Sequence, residues 1–387
     1  MSELPKSWTW AAIGDVTRKS AKWDPRTSDD KFTYVDIAAV DANTKRITAP
    51  QTILGAEAPS RARQIIEHHD VLVSTVRPNL NAVAFVSRES HGAVASTGFS
   101  VLRPTESLHS RYLFHWVQSP RFIEQMVRQA TGQSYPAVSD RIVRQSLLPL
   151  PPLEEQRRIA TILDQATGIQ DAAGRYSQIL RAHRRTAFLK VLDDTPISHL
   201  PVEAVSAAVI DCPHSTPRWR ESGVTCLRTA NLGYGEWNWD DHRFVDEAQH
   251  TERTKRAELL PGDIVLSREG TVGVMAMVSP GMRASLGQRL VQVRPSDEIN
   301  REYLMEALLH ELHPTRVEHR MIGATAKRIN VKALKQLLLP IPPRDVQDRF
   351  GSIAMKIRES QNQAEKRLAH VTTLTRSLQS RAFRGEL

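Results

Sequence analysis

Two short polar segments carry side chains that can contact the edges of nucleic-acid bases. They are "STVRPNLN" (74–81) and "SREGTVG" (267–273), and each follows an apolar run typical of a β-strand. Arginine can pair with guanine through two hydrogen bonds, asparagine can pair with adenine, and glutamate can accept from cytosine. Each segment could also be an ordinary polar turn. The residues predicted to contact DNA here are Thr75, Arg77, Asn79, Asn81, Arg268 and Glu269.

Further polar loops have the composition expected of phosphate or base contacts. "ATGQSYPAVSDR" (130–141) matches "MIGATAKRINVK" (321–332), and "TRKSAKWDPR" (17–26) matches "CPHSTPRWRES" (212–222). Such basic and polar loops fit DNA contacts. The one tryptophan in each of the segments 17–26 and 212–222 more often anchors the edge of a core. The additional predicted contacts are Lys19, Lys22, Arg26, Gln133, Ser134, Tyr135, Arg141, His214, Arg218, Arg220, Lys327 and Arg328.

These loops occur in pairs because the sequence is an internal repeat. Adding 191 to a position in the first half often finds the same residue in the second half, and upstream the offset drifts to 193 and 196. The halves agree best in their C-terminal thirds, which predicts a shared frame with diverged globular faces. The matches include Tyr112 with Tyr303, Gly132 with Gly323, Pro149 with Pro340, Pro152 with Pro343 and Gln156 with Gln347.

Each copy ends in a proline-rich segment followed by a long heptad pattern. "LLPLPPLEEQRRIATIL" begins at Leu147 and "LLPIPPRDVQDRFGSIA" at Leu338. The prolines disfavour helix in the residue before them, and the spacing that follows predicts two helices of about 40 residues. We predict that they pair as an antiparallel coiled coil; two separate surface helices are the alternative. The predicted seam residues are Ile162, Ala166, Ile169, Tyr176, Leu180, Ile353, Ile357, Val371, Leu374 and Leu378.

The charge distribution bears on the partners of the chain. The 387 residues include 52 Lys and Arg and 43 Asp and Glu, a net charge of +9 that is compatible with nucleic-acid binding. Segments 153–192 and 344–387 hold +3 and +4 of this charge. This concentration indicates that a partner protein helps to hold the DNA phosphates, or that the helices have a charged, solvated face.

Sequence motifs for catalysis are absent. There is no Asn/Asp-Pro-Pro-aromatic tetrapeptide for adenine methylation, no Gly-rich loop that opens a helix, and no phosphate-binding P-loop. Cys212 and Cys226 with His214 make only a weak zinc pattern, so we predict no metal site. Neither a signal peptide nor an apolar run long enough for a membrane span is present. We therefore predict a non-catalytic protein of the cytoplasm with no membrane partner.

With these features together, the chain resembles the specificity (S) subunits of type I restriction–modification systems. The resemblance covers essentially the whole sequence. It rests on the two-copy layout, the hinge "LPLPPLEEQRRIATIL" with its copy "LPIPPRDVQDRF", the loop "GDIVLSREGTVG" and the segment "RAFRGEL". The first copy departs from the pattern because "STVRPNLN" replaces the Gly-containing turn, which favours Arg268 over Arg77 as a DNA contact.

The resemblance implies a prokaryotic source, a fold, a function and a set of partners. The fold class would be α+β, with two target recognition domains of similar fold joined by two long helices. Each domain would read one half of a split, asymmetric target in double-stranded DNA, and the helices would set the spacing between the halves. Two methyltransferase subunits would bring S-adenosylmethionine, and up to two restriction/motor subunits would bring ATP and Mg. The predicted segments are domain 1 (1–152), helix (153–192), linker (193–200), domain 2 (201–343) and helix (344–387).

Two other functions remain open from the residues alone. The chain could be a DNA-modifying enzyme with a degenerate motif, in which case the isolated chain would methylate or cut DNA. It could also be a protein-interaction scaffold that uses two helical docking surfaces, in which case no sequence preference would appear even with partners present.

Overall fold

The computed structural model describes residues 4–318, 321 and 328–387, so the predicted contact Lys327 lies outside the described residues. Two compact units divide the chain. Unit 1 comprises Met1–Arg175 with Glu365–Leu387, and unit 2 comprises Tyr176–Ala364. Each unit contains both strands and helices, as predicted. In the described part of the chain, no helix is long and apolar enough to cross a membrane.

Unit 1 contains two four-stranded sheets and two strand pairs, one of which is β4 with β5. The sheet orders are β6-β3-β10-β7 and β2-β11-β8-β9, and β1 pairs with β12. The strands are β1 Thr9–Ala12, β2 Thr17–Arg18, β3 Lys31–Val35, β4 Val40–Asp41, β5 Arg46–Ile47, β6 Gln51–Leu54, β7 Ala62–Ile65, β8 Val71–Ser74, β9 Val83–Phe85, β10 Val94–Ser96, β11 Phe99–Pro104 and β12 Leu147–Leu150. The helices that begin in this unit are α1 Ser110–Trp116, α2 Pro120–Gln129, α3 Asp140–Gln145 and α4 Leu153–Asp194.

Unit 2 repeats one of these sheets strand for strand. Its sheet β14-β20-β17-β18 has the connectivity of β2-β11-β8-β9, and β13 pairs with β21 as β1 does with β12. The strands are β13 Ser198–Pro201, β14 Ser206–Asp211, β15 Val224–Leu227, β16 Phe244–Val245, β17 Ile264–Ser267, β18 Met275–Met277, β19 Ala284–Leu286, β20 Leu290–Pro295 and β21 Leu338–Ile341. The helices are α5 Glu247–Arg253, α6 Arg301–Glu311, α7 Pro314–Val317, α8 Val331–Lys335 and α9 Arg344–Ala382.

Matching side-chain contacts show that the sequence repeat is a structural repeat. The fully buried Tyr112 donates its hydroxyl to the carbonyl of Pro149 at 2.7 Å, and Tyr303 donates to Pro340 at 2.8 Å. Each tyrosine thereby ties the helix that follows the sheet to the proline-rich strand that leads into a long helix. The offset of 191 residues therefore holds for three-dimensional position as well as for sequence.

The core of unit 1 is completed by residues from the far end of the chain. Phe383 is 5% exposed, and its ring centroid lies 5.0 Å from that of Trp116 and 5.4 Å from that of Tyr112. Ile159 and Leu163 of α4 are buried in the same cluster. Burial of such large aromatic and aliphatic side chains is the main source of stability here.

The two long helices run antiparallel in each unit. In unit 1, Gln170 of α4 donates to Thr372 of α9 at 2.8 Å. In unit 2, the rings of Phe188 and Phe350 lie 5.8 Å apart. As the residue number rises along α4 from 170 to 188, the number of the contacting residue in α9 falls from 372 to 350. The helices are therefore antiparallel, as predicted.

The buried stripe of these helices differs from the predicted seam at every second position. Among the predicted seam residues, Ala166 and Leu180 are buried, but Ile169, Tyr176, Ile353 and Leu374 are 58%, 48%, 50% and 56% exposed. The observed stripe, buried or half-buried, is Ile159, Leu163, Ala166, Gln170, Ala173, Ser177, Leu180 and Arg184 in α4, and Phe350, Ala354, Ile357, Gln361, Ala364, Leu368, Val371 and Thr375 in α9. The prediction of Ile169, Tyr176, Ile353 and Leu374 as seam residues was wrong.

The reason for this difference is the polarity of the stripe. Steps of three and four residues can be taken in either order from the same starting point, and apolar side chains usually decide between the two. Here the correct order places polar residues such as Gln170, Ser177 and Arg184 inside, while Ile169 and Tyr176 face outward. A seam chosen by hydrophobicity therefore takes the wrong residue at these positions.

A charged contact joins the globular part of each unit to a long helix, with its sign reversed between the units. In unit 1, Arg111 and His115 of α1 contact Asp164 of α4, with His115 Nε2 2.7 Å from the carboxylate. At the equivalent positions of α6, unit 2 has Glu302 and Glu306. Glu302 contacts Arg358 of α9, and Glu306 lies 2.7 Å from Arg184 of α4.

Because of this reversal, acidification from pH 7 to 5 should loosen α1 and tighten α6. Burial lowers the pKa of His115, so its contribution is present at neutral pH and is lost as the pH falls. Burial raises the pKa of Glu302 and Glu306, so their contribution is present below about pH 4.5 and is lost as the pH rises through the raised values. Hydrogen–deuterium exchange, corrected for intrinsic rates, checks this prediction helix by helix.

Two features sharpen the pH experiment. Burial by itself raises the pKa of Asp164, but hydrogen bonds from His115 and Arg111 lower it to about 2, so Asp164 stabilises unit 1 above about pH 4 and affects it only in stronger acid. Glu306→Gln should reduce the pH response of α6 and leave that of α1 unchanged. Protection that changes in the same direction in both helices would contradict the prediction.

Candidate DNA interface

In unit 1, the structure brings together two of the loops predicted to contact DNA. The backbone N–H of Arg77 donates to the carbonyl of Pro136 at 2.7 Å, and that of Val138 donates to Thr75 at 2.8 Å. The Arg77 guanidinium lies 4.6 Å from the centroid of the Tyr135 ring. Arg77 is exposed, and Tyr135 is 69% exposed. The pair therefore presents a cation and an aromatic face to solvent, and both can contact a base.

The backbone of Arg77 is in an unfavourable conformation for a residue with a side chain. Its φ is +50°, and that of Asn81 is +45°, both in the left-handed region. Unit 2 has Gly270 and Gly273, with φ of +78° and +89°, at the corresponding points of its loop. The left-handed conformation costs roughly 1–2 kcal/mol for a non-glycine residue. Such strain is typical of sites where the side chain is needed.

Lys45 lies beside the Arg77 loop, a contact that could not be expected from the sequence. Its ammonium donates to the carbonyl of Asn81 at 2.6 Å, and the two residues are 36 positions apart. Burial lowers the pKa of Lys45 to about 8. Lys45 also has a left-handed backbone, with a φ of +56°, which marks it as unusual. This conformation can be recognised only in the structure.

The basic segment 17–26 mixes exposed and buried residues, and its cations are held to different degrees. Lys19 and Lys22 are exposed, whereas Arg26 donates to Asp24 at 2.8 Å and 3.0 Å. The hydrogen bond from Arg26 holds the pKa of Asp24 at about 2. Trp23 packs edge-on against Phe32 at 5.7 Å, which is the core-edge role that was the alternative for this residue.

The equivalent loops of unit 2 also meet, but Arg268 is already paired. Arg268 accepts a backbone hydrogen bond from Ile329, and Glu269 pairs with Arg328 in a β-bridge. The Arg268 guanidinium donates to Asp211 at 3.0 Å and is only 13% exposed. It would have to leave Asp211 before it could contact a base.

Other cationic side chains of unit 2 also lie beside carboxylates. Exposed His214 lies 3.5 Å from Asp211, and Arg220 donates to Asp246 at 3.0 Å. Arg289, which the sequence did not single out, is 59% exposed and lies 3.4 Å from Glu269. Its φ of +71° places it, like Arg77, in a strained conformation beside the loop.

The remaining predicted contacts lie on the same loops, where the backbone of Arg218 exchanges two hydrogen bonds with the side chain of Gln249. Asn79, Gln133, Ser134, Arg141 and Arg218 are all exposed. Asn81 is half-buried, and its Oδ1 lacks a hydrogen-bond partner within the described residues. The described residues contain no group of three or more His, Cys, Asp or Glu placed to hold a metal ion. The geometry offers cations, amides and aromatic faces, which suit recognition rather than bond breaking.

Comparison with known proteins identifies a matching family. The family described as "Type I restriction modification DNA specificity domain" matches residues 5–179 and 245–370. These two stretches include the Arg77 loop and the Arg268 loop, and they make up more than half of the chain.

Individual relatives agree with the family match. The type I restriction enzyme MjaVIII specificity subunit of Methanocaldococcus jannaschii is 22% identical over 79% of each chain. The EcoKI specificity subunit of Escherichia coli K12 is 22% identical over 100% of this chain and 90% of its own.

Solved structures give the same fold. One, from a study of "complex assembly and conformational transition of the type I R-M system", has a TM-score of 0.55 and 25% identity over the whole of both chains. A type I S subunit from M. genitalium has a TM-score of 0.59 over 98% of both chains at 14% identity, and this shows the fold alone.

Proposed function

The chain belongs to the type I restriction–modification DNA specificity family, and from that premise we propose that its two globular regions read the two halves of a split DNA target. The regions are 1–152 and 201–343, each with its paired loops. The chain supplies recognition, and its partner subunits supply the chemistry.

One observation carries the proposal for unit 1. A strained backbone holds the guanidinium of Arg77 against an exposed tyrosine, where the repeat places a glycine in unit 2. A structural turn would be more stable with glycine at this position. The arginine is therefore best explained by its side chain, which can pair with the O6 and N7 atoms of guanine.

An asymmetric target follows from the different surfaces of the two units. Unit 1 presents Arg77, Tyr135 and the nearby Lys45, whereas unit 2 presents Glu269 and Arg289 around the Arg268–Asp211 pair. A carboxylate favours cytosine and a guanidinium favours guanine. The two half-sites should therefore differ in sequence.

The long helices are the proposed docking surface for methyltransferase subunits. Ile169, Tyr176 and Ile179 of α4, and Ile353 and Leu374 of α9, are each about half exposed. Apolar side chains on the outside of a helix favour a protein partner. Two such subunits carrying S-adenosylmethionine, and up to two restriction/motor subunits carrying ATP and Mg, would complete the assembly.

Methylation mapping tests the function directly. We expect DNA from cells that express this chain with its methyltransferase partner to carry a split, asymmetric adenine-methylated motif. Exchanging residues 1–152 for the corresponding region of a relative should change one half of the motif and leave the other unchanged. Methylation without a fixed motif, or at one continuous palindrome, would contradict the two-reader arrangement. The matched control is the partner expressed without this chain, which should leave no such motif.

A further inference from the structure

The stripes of α4 and α9 that face inward are equivalent position by position. Every buried or half-buried stripe residue of α4 from Ile159 to Arg184 has its counterpart in α9 at an offset of 191 residues. The second half of α4 packs in unit 2, and the second half of α9 packs in unit 1. Each unit therefore receives a helix end from the other half of the chain, and the two helix ends have the same fold position.

Arg184 is the charged residue on the helix end received by unit 2. It is 4% exposed, its Nε lies 2.7 Å from Glu306 Oε2, and its Nη2 donates to the carbonyl of Tyr234 at 3.1 Å. Glu306 is 5% exposed. A buried arginine and a buried glutamate are each costly without a partner of opposite charge.

The helix end received by unit 1 is neutral at the same place. The counterpart of Arg184 is Thr375, which donates its hydroxyl to the Val371 carbonyl of its own helix. The counterpart of Glu306 is His115, which is bound to Asp164 and accepts at its backbone carbonyl from Gln379. Unit 1 thus accommodates a helix end that is neutral at this position, and unit 2 accommodates one that carries a cation there.

We propose that Arg184 and Glu306 make the two halves of the chain select each other rather than a second copy of themselves. Two copies of the first segment (1–194) would place Arg184 beside His115, where Asp164 is already occupied by Arg111 and His115. Two copies of the second segment (198–387) would place Thr375 beside Glu306 and leave that carboxyl buried without a cation. Only the pairing of one segment with the other satisfies both positions.

This selection goes beyond DNA recognition and does not depend on it. Repeated halves with interchangeable helix ends can assemble in the wrong combination, between copies of the chain or during folding. The Arg184–Glu306 pair disfavours both pairs of like segments. Two first segments leave Arg184 without its carboxylate, and two second segments leave Glu306 without its cation. The readout that tests it needs no DNA.

The experiment uses the full chain with a protease site inserted in the linker 195–197, between α4 and β13. After cleavage, the two segments are unfolded in urea, refolded together by dilution at pH 8, and weighed by native mass spectrometry. We expect the pair of unlike segments, with like pairs at about one hundredth of its abundance or less, since an unpaired buried charge weakens association by at least that factor.

Variants of the key residues separate selection from simple stability. Arg184→Thr should weaken the unlike pair, because Glu306 loses its cation. Adding Glu306→His gives unit 2 the residues of unit 1 at these two positions, so it should restore pairing and raise the like pairs to an abundance comparable with the unlike pair. Arg175→Thr, which changes an exposed arginine of α4 away from Glu306, is the matched control and should leave the distribution unchanged.

Three results would overturn the proposal. Abundant like pairs from the wild-type chain would show that no selection exists. Exclusive unlike pairing in the Arg184→Thr/Glu306→His variant would show that other residues make the selection. Failure of the wild-type segments to re-form any pair would show that they do not recognise each other without the linker.

Discussion

Phe383→Ala should lower the free energy of unfolding of unit 1 by about 3–5 kcal/mol, the range for truncating a buried phenylalanine. Phe383 is 5% exposed and lies between the rings of Trp116 and Tyr112, so its removal leaves a cavity lined by aromatic side chains. Urea unfolding followed by tryptophan fluorescence measures the change, because Trp116 is the immediate neighbour of the altered residue. Unit 2 contains neither ring, so its unfolding should not change.

The control for this prediction lies in α9, the helix that ends just before Phe383. Leu374 is 56% exposed, so Leu374→Ala should change the stability by less than about 0.5 kcal/mol. A small effect at Phe383, or equal effects at both positions, would mean that the 365–387 segment is not part of the core of unit 1.

Arg77→Gly should relax discrimination at one base pair of one half-site while leaving the loop at least as stable as before. Glycine relieves the left-handed strain at φ +50°, as Gly270 does in the second copy. Loss of a bidentate guanine contact should cost about 1–3 kcal/mol of discrimination against the wrong base. Competition binding by the chain with its methyltransferase partner, on DNA altered at one half-site at a time, measures the loss.

Two comparisons make the Arg77 result decisive. Arg88→Ala removes an exposed arginine at the opposite end of the β8–β9 hairpin, so it should leave discrimination unchanged. If Arg77→Gly weakens binding equally on matched and mismatched DNA, Arg77 contacts phosphate rather than a base. If it affects both half-sites, the assignment of one half-site to unit 1 fails.

Local features of this chain could be predicted from its sequence, and contacts between distant residues could not. The repeat, the α+β composition and the starts of α4 at Leu153 and α9 at Arg344 follow from proline placement and heptad spacing, which act over a few residues. The phase of the buried stripe was lost because Gln170, Ser177 and Arg184 occupy inward positions where apolar side chains were expected.

The candidate interface shows the same limit. The sequence identified the loops around Arg77 and Tyr135, since their composition is polar and aromatic. It favoured Arg268 because of the glycine beside it, but Asp211, 57 positions earlier, is what holds that guanidinium. The contact of Lys45 with Asn81 was likewise invisible, because it depends on how two separate turns pack.

The order in which the residues leave the ribosome has a consequence for unit 1. Its core needs Phe383, yet all of unit 2 is translated between residue 175 and residue 365. Unit 1 therefore cannot complete its core until unit 2 has been translated, and until then the site of Phe383 is an open apolar cleft. A chain truncated within unit 2 would retain this cleft, and exposed apolar surface of that kind is a substrate for chaperones and proteases. Incomplete chains should thus be cleared before they can join partner subunits, so that only chains translated through residue 383 persist.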